Sequence, residues 1–141
     1  MATIEESIRT RLIGLAAVTA ITSTIRPYRY QQGDGLPAIG ISVDEETHEN
    51  TMDDGLGGVV SAQVRIQAVA ETLAAARSLS EAIRGSAGSA MAGYQGTSGG
   101  VEIQGSVLQR KQIDFQPYSD ASDEGFYYVD SIYLIHYVET P

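Results

Sequence analysis

The chain has two histidines and no cysteine, so thiolate chemistry and sulfur-bound zinc are excluded at the outset. His48 lies in Glu45-Glu46-Thr47-His48-Glu49, a density of ligand types that raises the question of a metal site. The spacing fits no helical His/Glu ligand motif, and carboxylates in a loop without fixed geometry read as a solvated acidic segment. Asp120-Ala121-Ser122-Asp123-Glu124-Gly125 hints at calcium, yet it lacks the alternating ligands and the closing bidentate glutamate of an EF-hand loop. Gly93-Tyr94-Gln95-Gly96-Thr97-Ser98-Gly99-Gly100 has no following lysine, and the nearest helix precedes it, which is the wrong order for a phosphate loop. His136 falls in an apolar terminal run, where a satisfied core or interface histidine is expected. No Ser/His/Asp set and no carboxylate dyad can be assembled from spacing. The reading is therefore of a protein with no catalytic, metal or cofactor site.

The 141 residues fit one domain, 1–141, able to bury roughly 70% of its unfolded surface. No apolar run reaches the ~20 residues that span a bilayer, and Glu5 and Glu6 stand where a secretion signal carries bases. An intracellular, soluble chain without membrane contact is expected. The net charge of −9 argues against a phosphate-binding surface, because no Lys or Arg lies between Arg29 and Arg65. A negative surface tolerates DNA nearby without holding it.

The element that must position everything else runs from Val59 to about Ala87. Val60, Ala62, Val64, Ile66 and Ala68 alternate with Ser61, Gln63, Arg65 and Gln67, which predicts a half-buried strand. From Thr72 the period lengthens, and Leu73, Ala76, Leu79 and Ile83 make one helical stripe. Thr3 and Glu6 form a capping box ahead of Ile4, Ile8, Leu12 and Leu15, predicting a helix over 4–17. Pro27 places Ile25–Tyr30 at a sheet edge or strand start. Leu36–Val43 reads as a strand. Asp44–Gly58 carries six of the eighteen acids and no base, so it is expected as a mobile loop or an extended hairpin arm. Val101–Gln104 and Val107–Phe115 read as two strands, the second with Val107, Gln109, Lys111, Ile113 and Phe115 on one face. Phe126–Val138 is apolar or aromatic on both faces. Two helices cover one face of a small sheet; loops or a neighbouring subunit must cover the other. The expected fold is α+β: an antiparallel sheet of four to five strands, with helices near 4–17 and 72–85 on one face and a long acidic loop or hairpin arm.

Three stretches resemble the tail-terminator, or tail-completion, proteins of long-tailed phages and gene-transfer particles. They are Ile25-Arg26-Pro27-Tyr28 followed by Leu36-Pro37-Ala38-Ile39-Gly40-Ile41, then Val64–Ala70 leading into Ala74–Arg84, and the Gly-rich gap before the strands that end in Tyr133-Leu134-Ile135-His136-Tyr137. The likeness covers nearly the whole chain and rests on order and spacing. It implies a virion protein, assembled in the host cytoplasm, that forms a six-membered ring at the head-proximal end of the tail. Its implied partners are its own copies, the tail tube protein and a neck or head-completion protein. DNA would pass through the lumen without specific binding.

Within that resemblance, Asp44, Glu45, Glu46, Glu49, Asp53 and Asp54 are expected to form an arm toward the tube or lumen. Val107, Ile113, Phe115, Tyr128, Ile132, Tyr133 and Leu134 are expected to build subunit contacts. The alternatives are another neck ring, either a head-completion protein or a stopper, and a small-ligand-binding α+β domain.

Overall fold

A computed structural model describes residues 3–22, 25–27, 37–49, 59–85, 90–117 and 125–138. The elements in chain order are α1 (Ile4–Ile13), α2 (Ala16–Thr19), β1 (Ile25–Pro27), β2 (Ala38–Glu49), β3 (Val59–Ala70), α3 (Leu73–Arg84), β4 (Gly96–Ser98), β5 (Val101–Pro117) and β6 (Gly125–Val138). The strands form one sheet in the order β1-β2-β3-β6-β5-β4. Five of them are mutually antiparallel, as expected for this α+β chain, and the three-residue β1 adds a parallel edge beside Ile39–Ile41. Pro27 closes that edge strand, a position at which sheets tolerate a residue without an N–H.

The β3–β6 pair is the spine of the sheet. It runs without a break from Val59↔Val138 to Ala70↔Tyr127. Paired residues share a face, so Val60, Ala62, Val64, Ile66 and Ala68 align with Tyr137, Ile135, Tyr133, Ser131 and Val129. All ten are buried. The helices cover this face. α3 is capped by Thr72, whose hydroxyl accepts from the Ala75 N–H at 3.2 Å, and it buries Ala76, Leu79, Ser80 and Ile83. Leu73, expected in the stripe, stays 37% exposed at the first turn.

α1 opens with the expected capping box of Thr3 and Glu6. It ends at Ile13, four residues short of the expected end, with Gly14 as its cap, and the chain resumes as the one-turn α2. α1 touches both outer strands. Arg9 Nε donates to the Ile25 carbonyl of β1, while the Ser7 and Ser98 hydroxyls donate to each other's backbone carbonyls at 2.7 and 2.9 Å. Six strands laid flat would keep β1 and β4 roughly 24 Å apart, so the sheet curls around this helix.

Strand β5 corrects the expected pair of strands: it is continuous across seventeen residues, with irregularities between Ile103 and Gly105 and between Leu108 and Arg110. Each inserts a residue and exchanges the faces. Leu108 therefore pairs with Tyr133 on the helix side, and Val107 pairs with Leu134 on the open side. Past Gln109 the parity reverts, and Lys111, Ile113 and Phe115 join the helix side. The single shared face expected for Val107 through Phe115 does not exist.

Gly99 and Gly100, with φ of 55° and 83°, make the two-residue turn between β4 and β5. A Cβ on Gly99 would stand 3.0 Å from the Ser7 Cα, in a backbone conformation that already disfavours side chains. Gly99→Ala should cost about 1–2 kcal/mol from the left-handed backbone alone, with a further loss as α1 is pushed off β4. Gly105→Ala, which meets nothing within 4 Å, should change stability far less; urea unfolding of both variants checks this. Tyr133 is fully buried with no hydrogen-bond partner for its hydroxyl among the described residues, and burial pushes its phenol well above the ordinary range. Tyr133→Phe should leave stability unchanged or raise it by about 1 kcal/mol, and Tyr133→Ala should cost about 3–5 kcal/mol, measured the same way.

Candidate functional site

Asp44, Glu45, Glu46 and Glu49, expected in a loop or hairpin arm, belong to β2, which pairs with β3 as far as Val59, itself paired with Val138 of β6, so the described part of this stretch is a strand of the sheet. Asp53 and Asp54 lie outside the described residues. Two of the acids are tied back to the sheet. Asp44 occupies a bulge between Val43 and Glu45, and its carboxylate accepts from Arg65 Nη2 at 3.1 Å. Glu46 accepts from the Tyr137 hydroxyl at 3.1 Å. The segment has no base of its own, and β3 supplies one from across the ladder.

Arg65 centres a polar group on the open face. Its other guanidinium nitrogen, Nη1, stands 3.9 Å from Asp130 Oδ2. Asp130 is half-buried, and desolvation raises its carboxyl above the usual range against the opposing pull of Arg65 and a hydrogen bond from Gln67. Tyr128 donates to Asp114 at 3.1 Å, and burial together with that carboxylate raises its phenol. On the helix side, Lys111 bonds Glu81 of α3 and holds the Glu81 carboxyl below its ordinary value. That pair staples α3 to β5.

The structure also joins two residues that spacing could not connect. Ser61 Oγ lies 2.8 Å from His136 Nδ1, across a registered β3–β6 pair. A hydroxyl beside an imidazole is half of a nucleophilic apparatus, and an acyl-transfer site also needs N–H donors aimed at a developing oxyanion. Here the two residues stand mid-ladder, where the neighbouring N–H groups serve the sheet. The pair satisfies a histidine within the open face, as expected for His136. Among the described residues no cluster of three or more His, Cys, Asp or Glu side chains is placed to hold a metal. No described helix is long and apolar enough to cross a membrane.

The seven residues expected at subunit contacts divide into three groups. Val107, Ile113 and Phe115 are exposed at 58%, 39% and 37%. Tyr128 and Leu134 are half-buried on the open face, and Ile132 is 7% exposed there between Arg65 and Arg110, whose long stems suit the shielding of an apolar neighbour. Tyr133 is the correction: it belongs to the subunit's own core and has no surface to offer a second copy. Phe115 packs against Tyr127 with ring centroids 4.9 Å apart and the rings tilted by 47°. Ile113 and Phe115 are exposed because nothing among the described residues flanks this part of β5.

No family model matches the chain, and no curated protein matches it in sequence. The fold defines the class: a curled α+β sheet with its helices on one side. That fold is similar to a chain in the virion of a native gene transfer agent particle, with a TM-score of 0.65 over 97% of this chain and 95% of the other at 15% identity. The likeness is one of fold, and it extends from end to end.

The titration of Asp130 has a fixed sign. Its folded-state pKa lies above the unfolded value, so its contribution to stability is fully present below the unfolded pKa and falls as pH rises through the folded pKa. The stability of the wild type relative to Asp130→Asn should therefore decline across that window and level off above it. Urea midpoints of the two proteins at matched pH values measure this.

Proposed function

We propose that this chain is a non-enzymatic structural protein of a virion, and that it forms the six-membered ring that ends a tail tube. The observation that carries the reading is the end-to-end fold similarity to a chain of a gene transfer agent virion. A head-to-tail contact closes into a ring when the rotation per copy divides a full turn. Such a ring has two different faces: one can cover the growing end of the tube, and the other can meet the neck.

The surface chemistry suits this work. The exposed apolar residues Val107, Ile113 and Phe115, with Tyr128, Ile132 and Leu134 on the open face, are the proposed contact residues for neighbouring copies. The arm of Asp44, Glu45, Glu46 and Glu49, continued by Asp53 and Asp54, would stand toward the tube or lumen. Carboxylates there repel phosphates, so DNA passes without being held.

Deletion of the gene should yield overlong tails that fail to join heads, and a labelled copy should sit at the head-proximal tip of the tail in electron micrographs. Filled heads that leak DNA, with tails of normal length, would instead assign the protein to the neck as a head-completion or stopper ring. Replacing the six acids by lysine should lower infectivity in particles that still assemble. Unchanged infectivity would remove the arm from the mechanism.

A further inference from the structure

Among the described residues the sheet has two uncovered lengths of edge, and they complement each other. On one side β1 pairs only with Ile39–Ile41, which leaves the outer edge of β2 open from Ser42 to Glu49 among the described residues. On the other side β4 pairs with Val101–Ile103, and the Gly93 N–H bonds the Ser106 carbonyl at 2.7 Å. Beyond Ser106, β5 has no described neighbour on its outer edge as far as Pro117. A long open edge flanked by exposed Val107, Ile113 and Phe115 is a template for strand addition. Its lysine does not guard it, because Lys111 is turned onto Glu81.

We infer that the outer edge of β5 pairs with the outer edge of β2 in a second copy, so that the sheet continues from one subunit into the next. Strand direction permits this. The four long strands alternate along β2-β3-β6-β5, so β5 runs opposite to β2. A following copy placed with its helices on the same side presents its β2 antiparallel to β5, and the alternation carries on unbroken. An odd number of long strands would force a parallel junction.

Charge favours the same partner. β2 brings Glu45 to its edge and β5 brings Arg110, both exposed. Glu45 and Arg110 both stand on the open face, opposite Gln63 and Ile132 respectively, so with Thr47 set opposite Arg110 and Glu45 opposite Gln112 they meet as diagonal neighbours across the junction. Both segments are regular, since the irregularities lie before Glu45 and before Arg110. Both open lengths lie toward the C-terminal ends of strands that run in opposite directions, hence toward opposite ends of the sheet, so successive copies are staggered along the strand direction, as tilted strands in a closed sheet require.

This inference deepens the ring reading and names its contact. The absence of cysteine makes the test direct. Thr47→Cys and Gln112→Cys are made singly at exposed strand positions, mixed, and treated with a short bismaleimide. Every covalent dimer is then intermolecular. The expected product is the mixed dimer, one copy of T47C joined to one copy of Q112C, with each variant alone giving none. Predominant dimers of Gln112→Cys with itself would mean two-fold pairing of β5 edges and would overturn the proposal. Absence of the mixed dimer overturns it too, whether the protein is assembled or monomeric. Arg110→Glu should abolish the oligomer seen by light scattering, and adding Glu45→Arg should restore it; loss without rescue counts against the pairing. A labelled protein at the tail tip without the mixed dimer would defeat the edge contact and leave the ring role standing. The mixed dimer from a protein missing from particles would do the reverse.

Discussion

Everything in this fold is referenced to the twelve residue pairs shared by β3 and β6. Because that ladder is unbroken, its side-chain alternation has one phase from end to end, and it decides which face of the sheet faces the helices. Val64 against Tyr133 sits near the middle of that pairing, with α3 laid over it. A slip of β3 by one residue against β6 would carry Val60, Val64 and Ile66 to the uncovered side together. The cost of exposing three large apolar side chains at once, on the order of 1.5–3 kcal/mol each, holds the register firmly. The flanking strands then have to conform to a phase already set.

They conform by inserting residues. Asp44 in β2 and the irregularities near Gln104 and Gln109 in β5 each absorb one position, and each changes which side chains the strand shows. The insertion at Asp44 leaves a carboxylate beside Arg65. That at Gln109 turns Lys111 inward to Glu81, while Val107 is left on the opposite surface beside Leu134. The open face is thus a mixture of ion pairs around Arg65 and apolar residues around Leu134.

Much of this is legible in local sequence. The period-two run Val59–Ala70 marks β3 to the residue, and Thr3, Glu6 and Thr72 mark two helix starts, because capping and alternation are decided within a few positions. Phe126–Val138 is apolar on both faces, so local sequence does not say which of them the helices cover. What local sequence does not show are the insertions. An extra residue in a strand leaves composition and hydropathy nearly unchanged, and only the partner strand reveals it. For the same reason Tyr133 reads as a contact residue in the sequence, although its face is covered by the chain's own α3. Arg65 with Asp44 and Ser61 with His136 are separated by 21 and 75 positions, and no spacing rule reaches across a ladder. The helix break at Gly14 is hidden because the apolar spacing of Ile8, Leu12 and Leu15 continues through it.

The inserted residues bear on ancestry. A strand that can gain or drop a single amino acid at a defined kink offers evolution a hinge for indels inside secondary structure, where gaps are usually forbidden. Two descendants differing by one such event would hold superposable backbones while their columns fall out of step by one. Core would then be matched to surface along everything that follows. Shape can outlive recognisable kinship in that way, and lineage within this architecture is better traced through paired strands than through aligned letters.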